Sequence, residues 1–171
     1  FRLTDYDAGE RTVIMIVMAS APLVLAAAVD GYVESLSSYR RLIGVLLIIN
    51  GGVLLLSDYL SAKQRRENKE GKKLGQLKPL DALIVGLCQF VAVIPGISRS
   101  GATITGGIAV GLERESAVKF SFLLSMPAIL GANILKLPDM IKDPAASAGA
   151  PAIIAGVAAA FIAGFLALGL L

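Results

Sequence analysis

The stretch VIPGISRSGATITGG, residues 93–107, sets an arginine between two serines, with Pro95-Gly96 before it and Gly101 and Thr103 after it. Arg99 carries a permanent positive charge and a planar fork of donors that matches phosphate oxygens. Pro95 ends any helix entering from the N-terminal side, because it lacks an N–H and disfavours the α region in Ile94 before it. Ser98 or Ser100 can cap a new helix, predicted to begin near Gly101. A capped helix start offers free N–H groups and the positive end of the helix dipole, which together attract anions. These residue types at this spacing predict an oxyanion site. It is not a Walker phosphate loop, since no Lys-Ser or Lys-Thr pair follows the glycines.

The elements around this loop are unusually oily. Of 171 residues, 56% are apolar and only 17% charged, where a soluble domain has roughly 45–50% and about 25%. Long apolar runs alternate with short charged connectors, as expected for helices crossing hydrocarbon roughly 30 Å thick. The predicted class is all-α: one integral membrane domain, residues 1–171, with spans at 12–29, 42–56, 120–137 and 151–171. Pro22 and Pro127 fall inside two of these spans. Residues 57–81 read as a loop, and the stretch 61–78 within it carries seven Lys and Arg against two Glu. That stretch reads as solvated chain, and its basic excess predicts a cytoplasmic location.

Residues 82–112 consist of two apolar pieces on either side of the Ser-Arg-Ser loop. Each is too short to span, so together they predict a hairpin that enters the membrane and turns back. Non-helical backbone at that depth is tolerated only where protein or a water-filled cavity surrounds it. An arginine there costs about 2.5–3.5 kcal/mol on insertion scales, which argues for a functional role. The competing reading pairs Arg99 with a buried carboxylate, but the four spans contain no Asp or Glu. Asn50 lies in the second span as a polar group requiring a partner, either a neighbouring helix or a ligand. Glu113 and Glu115 read as surface residues of a charged turn.

Other function classes are disfavoured by composition. The net charge of +3 arises mainly from the basic connector and gives no support for nucleic-acid binding. With Cys88 alone there is no intrachain disulfide or cysteine metal cluster, and it reads as a small packing residue. The absence of histidine removes His-based zinc sites and phosphohistidine chemistry from these residues.

The segment PGISRSGAT resembles the Pro-Gly-x-Ser-Arg-Ser-x-x-Thr pattern of the undecaprenyl pyrophosphate phosphatases, the bacitracin-resistance family of bacterial membrane enzymes. The likeness extends through GLCQFVAV before the motif and GGIAVGLERESAVKFSFLLSMPAILGA after it, and the hydrophobic spacing is similar across the whole chain. The resemblance implies hydrolysis of undecaprenyl pyrophosphate to undecaprenyl phosphate and inorganic phosphate at the bacterial inner or plasma membrane, recycling the lipid carrier of cell-wall synthesis. It implies a polytopic bundle built as an inverted repeat, each half giving one re-entrant hairpin to a shared polar site. It assigns Arg99 to catalysis and Gly96, Ser98, Ser100, Gly101 and Thr103 to substrate binding.

The family also has a pair of glutamates four residues apart and a serine-rich, His-containing stretch, which carry its nucleophile or base and its divalent-metal ligands. Neither stretch occurs in this chain. The chain is therefore expected to be an internal and C-terminal portion that binds phosphate but does not hydrolyse it alone. Mg²⁺ or Ca²⁺ is the expected cofactor, with ligands outside these residues. The expected partners are a polyprenyl pyrophosphate lipid and the bilayer, and homodimerisation is left open. The main competing function is a transporter or flippase of an anionic lipid, since broken helices aimed at an anion near the midplane serve transport too. A histidine-dependent lipid phosphatase and a purely structural membrane module are further alternatives, opposed by the lack of His and by Arg99.

Overall fold

A computed structural model describes residues 8–67, 70–142 and 150–169. The opening FRLTDYD, part of the connector before the last helix, and the end of the last predicted span lie outside the described residues. The described residues form six helices: α1 (Ala8–Ser37), α2 (Arg40–Arg66), α3 (Pro79–Val91), α4 (Arg99–Ala109), α5 (Arg114–Lys142) and α6 (Ala150–Gly169). A 3₁₀ turn at Leu74–Gln76 precedes α3. Among the described residues there is no strand, only an isolated bridge between Lys72 and Leu112. The chain divides into two compact units, Phe1–Leu130 and Gly131–Leu171.

Among the described residues three helices are long and apolar enough to cross a membrane: the windows are Gly9–Ala26, Arg40–Arg66 and Arg114–Leu135. In the second unit α6 is apolar over Ala152–Ala167 but falls short of that length among the described residues. The apolar side chains Val17, Ile48, Leu55 and Phe122 are exposed in the first unit, as are Ile154 and Phe161 in the second. Such continuous apolar exposure suits contact with lipid and not with water. The helices overrun the predicted spans at most ends. The largest difference is at residues 57–66, read as the start of a loop, where α2 continues unbroken. Lys63, Arg65 and Arg66 crowd its last turn, where cations meet the negative end of the dipole.

In the first unit α3 and α4 form an antiparallel hairpin, with α1 packed along α3 and α2 along α4. Small residues permit this closeness. A Cβ on Gly86 of α3 would collide with the backbone of Ala19 in α1, and one on Gly106 of α4 would lie 2.8 Å from Sγ of Cys88. Where lipid tails are as apolar as the side chains, such close packing and interhelical hydrogen bonds replace the hydrophobic effect as the source of helix association. The core behind the hairpin gathers Met15 and Ala19 of α1, Ala82 and Val85 of α3, Ile108 of α4, and Phe120 and Leu124 of α5.

The two ends of the hairpin are fastened together by part of the connector that read as solvated. Lys72 donates its backbone N–H to Gly111 at 2.8 Å and accepts from the Glu113 N–H at 3.1 Å. Its ammonium donates to Asp81 Oδ2 at 2.9 Å and to the Val110 carbonyl at 2.8 Å. Asp81 also accepts the Lys78 N–H at the start of α3, beside Pro79 in the first turn. At the other end, Gly111 adopts φ +97° and closes α4 with bonds from Gly111 N to Ile108 O and from Leu112 N to Gly107 O. That is the double bond pattern of a Schellman cap.

Candidate functional site

The loop between α3 and α4 holds the residues singled out from the sequence. The last turn of α3 runs out through bonds from Val93 N to Phe90 O and from Ile94 N to Val91 O, before Pro95. Gly96 then takes φ +101°, a conformation that a side chain at this position would strain. A Cβ there would also lie 3.0 Å from Cβ of Leu46 and 3.2 Å from the Ile43 carbonyl oxygen of α2. Gly96 is thus required twice, by the turn and by the close approach of α2.

Ser98 is the cap, and α4 starts at Arg99, two residues ahead of the predicted start. The Ser98 hydroxyl accepts the Gly101 N–H at 3.2 Å and lies 3.3 Å from the Ser100 hydroxyl. The Ser98 backbone N–H donates to Oδ1 of Asn50 at 2.9 Å. The first intrahelical bond runs from Ala102 N to Ser98 O. This leaves the N–H groups of Arg99 and Ser100 without a protein acceptor among the described residues, both at the positive end of α4. Gly101 is buried, and a Cβ on it would lie 3.0 Å from Leu54 Cδ2, so it lets the start of α4 seat against α2.

Arg99 is half-buried, and its side chain forms no ion pair or hydrogen bond among the described residues. Among the described residues no carboxylate pairs with Arg99. Thr103 stands apart from the others. It is only 2% exposed, and its hydroxyl bonds the Arg99 carbonyl at 2.9 Å and the Ser121 hydroxyl of α5 at 2.6 Å. The structure gives Thr103 the work of fastening α4 to α5, while Gly96, Ser98, Arg99, Ser100 and Gly101 assemble around one helix start.

Two polar residues of the hairpin surroundings carry more than local pattern reveals. Asn50, noted as a membrane-buried amide, anchors the tip from α2. Gln89 lies two residues before the end of α3, is 1% exposed, and has its Nε2 unpartnered in the interior. It belongs to the buried stripe Ala82, Val85, Gly86 and Gln89 of α3.

The surface acids behave as a charged turn. Glu115 pairs with Lys119 at 2.6 Å, Glu113 accepts the Ser116 hydroxyl at 2.9 Å, and Arg114 pairs with Asp58 at 2.6 Å. A cavity of about 330 Å³ lies among Ser61, Arg65, Glu70, Glu113 and Arg114, at the fastened end of the hairpin and away from its tip. Its lining carries both charges, with Arg65 and Arg114 set against Glu70, Glu113 and Glu115. Among the described residues no group of three or more Asp, Glu, Cys or His is placed to hold a metal ion.

Residues 2–171 match the family described as Bacitracin resistance protein BacA. Among curated proteins, the chain is 42% identical over 164 residues to an undecaprenyl-diphosphatase of Desulforapulum autotrophicum, covering 95% of this chain and 56% of that protein. It is 39% identical over 160 residues to undecaprenyl-diphosphatase 2 of Streptomyces avermitilis, covering 88% and 53%. An undecaprenyl-diphosphatase of Methanothermobacter thermautotrophicus is 38% identical over 155 residues, covering 90% and 82%. The chain spans about half the length of the first two relatives and most of the third.

Proposed function

The chain belongs to the bacitracin resistance protein BacA family, and from that premise we propose that it serves the hydrolysis of undecaprenyl pyrophosphate to undecaprenyl phosphate and inorganic phosphate. The observation that carries this reading is the start of α4. Ser98 caps it, Arg99 opens it, and the Arg99 and Ser100 N–H groups have no protein acceptor among the described residues. Donors already fixed in place stabilise charge that develops on phosphate oxygens in the transition state, without reorganising as it forms.

In this reading the terminal phosphate of the lipid docks on the helix start. Water attacks its phosphorus in line, the bond to the bridging oxygen breaks, and undecaprenyl phosphate departs. Arg99 spans two equatorial oxygens, the two free N–H groups hold another, and the Ser98 and Ser100 hydroxyls complete the contact. Phosphoryl transfer depends chiefly on such positioning and neutralisation. The described residues do not offer the donor set for a divalent cation, so no step here is routed through one.

The hairpin belongs in the membrane by length. At 1.5 Å per residue α3 and α4 are roughly 20 and 17 Å long, short of the roughly 30 Å of hydrocarbon. In this reading the hairpin enters and returns, the anion site lies inside a multi-pass protein of the cell membrane, and the Lys- and Arg-rich connector is on the cytoplasmic side. The curated relatives are named as diphosphatases, which favours phosphate release over movement of intact lipid.

The test is phosphate release by the purified full-length protein from undecaprenyl pyrophosphate in detergent, run beside a vesicle assay for lipid translocation. Release of one phosphate per lipid supports the proposal. Translocation of intact pyrophosphate lipid without release would replace it with the transporter reading.

A further inference from the structure

We propose that Asn50 donates directly to the bound anion through its side-chain amide, in addition to holding the hairpin tip in place; the inference rests on the reading of the α4 start as an anion site. Its orientation is set by one hydrogen bond. The Ser98 backbone N–H is a donor, so the Asn50 atom 2.9 Å from it must be the carbonyl oxygen and not the amide nitrogen. The planar carboxamide then fixes Nδ2, which lies within about 5 Å of the Ser98 nitrogen by covalent geometry alone. Nδ2 has no acceptor among the described residues. Two N–H donors therefore remain beside the start of α4.

The surroundings make unmet bonding capacity expensive. Asn50 is half-buried in a helix whose neighbouring side chains Leu47, Ile48, Ile49 and Leu54 are exposed and apolar. In a membrane, an amide donor without an acceptor is strongly disfavoured. The donors without a partner among the described residues at this point are the Arg99 and Ser100 N–H groups, the Arg99 guanidinium and the Asn50 amide. A ligand that satisfies them must offer many acceptor lone pairs and negative charge. The terminal phosphate of a pyrophosphate does so. A simple tie between helices would need only the carbonyl side of the amide, for which a residue with no free donor would serve.

The discriminating variant is Asn50→Asp in the full-length protein. It keeps an oxygen for the Ser98 N–H and replaces both amide donors with a negative charge, so its loss of affinity supports the proposal only together with that of the uncharged Asn50→Leu. Asn50→Leu removes the tie and the donors without adding charge. Binding of a non-hydrolysable isoprenyl pyrophosphate analogue and of inorganic pyrophosphate is measured separately, so that lipid and free anion are told apart, with melting temperature as the fold check. The expected result is a melting temperature near wild type for Asn50→Asp, with affinity for the analogue weakened on the order of 10–100-fold, as for a lost hydrogen bond to a charged group. Asn50→Leu should lose comparable affinity and also melt earlier. Wild-type affinity in either folded variant overturns the proposal and leaves Asn50 as a tie.

Should neither variant fold, the side-chain amide resonance of Asn50 in the wild-type protein decides: a shift on adding the analogue supports direct contact, and an unmoved signal overturns it. An Arg99→Ala control separates the anion site from the role of Asn50 within it. If Arg99→Ala binds the analogue normally, the anion-site reading fails; if it loses binding while the Asn50 variants keep it, only this inference fails.

Discussion

Replacing Gly96 with alanine tests whether the geometry of the tip is built or incidental. At φ +101° an L side chain occupies backbone space that costs about 1–3 kcal/mol. The added methyl would also stand 3.0 Å from Leu46 Cβ and 3.2 Å from the Ile43 carbonyl oxygen, closer than ordinary van der Waals contact. Overpacking of that kind typically costs about 1–3 kcal/mol. Summed, Gly96→Ala disfavours the docked tip by roughly 2–6 kcal/mol. The bond from Ser98 to Asn50, only two residues along, is typically worth about 0.5–1.5 kcal/mol and cannot hold the tip against that.

The expected outcome is therefore a displaced loop in a protein that still folds through its core. A shift of about 1 Å at the reacting groups lowers a rate on the order of 10²-fold. The assay is phosphate release by the full-length protein, with thermal unfolding in detergent alongside. A second substitution sharpens it. Leu46→Gly in the Gly96→Ala background removes the Cβ that the new methyl would meet but leaves the φ strain and the Ile43 carbonyl. Activity should recover in part, with a favourable coupling of about 0.5–3 kcal/mol between the two positions. A Gly96→Ala protein with wild-type rate and melting behaviour, or a double variant no better than the single, would refute the reasoning.

Two further outcomes concern the other end of the hairpin. Lys72→Met removes the ammonium that joins Asp81 to the Val110 carbonyl; because the pair is partly solvated, the loss should be about 1–2 kcal/mol in a denaturation midpoint, and Lys72→Arg should recover some of it. Cysteines placed at the exposed Lys78 and Glu115, in a Cys88→Ser background, should react with membrane-impermeant thiol reagents from the same side of the membrane, and opposite accessibility would make residues 82–112 a single broken span.

The helical class, the hairpin and its capped loop were legible because each rests on local chemistry. Pro95 and Gly96 break the chain, Ser98 caps the new helix, and the apolar pieces on either side are too short to cross. Helix ends were less legible. Residues 57–66 are polar enough to read as a loop, yet α2 carries them as its last turns, where a basic helix end can leave the hydrocarbon and still keep its backbone bonds.

The long-range contacts stayed hidden. The family resemblance gives Thr103 to the substrate, and nothing in the sequence shows that its hydroxyl also meets that of Ser121, eighteen residues away. Lys72 looked like one more solvated charge among seven, and only the folded hairpin brings Asp81 and the carbonyl of Val110 to it. Asn50 and Ser98, forty-eight residues apart, meet because α2 runs alongside α4. No pattern within one helix encodes those meetings.

The most direct measurement of the central claim is the rate of phosphate release from a long-chain isoprenyl pyrophosphate by the full-length protein with Arg99→Ala and Arg99→Lys. Alanine removes the charge and all five donors from a site of low dielectric, where each counts for more than in water. The rate should fall on the order of 10²–10³-fold, as when an oxyanion donor is lost. Lysine keeps the charge without the planar fork, so it should regain only part of that loss. A folded Arg99→Ala protein releasing phosphate near the wild-type rate would contradict the account and place the site elsewhere.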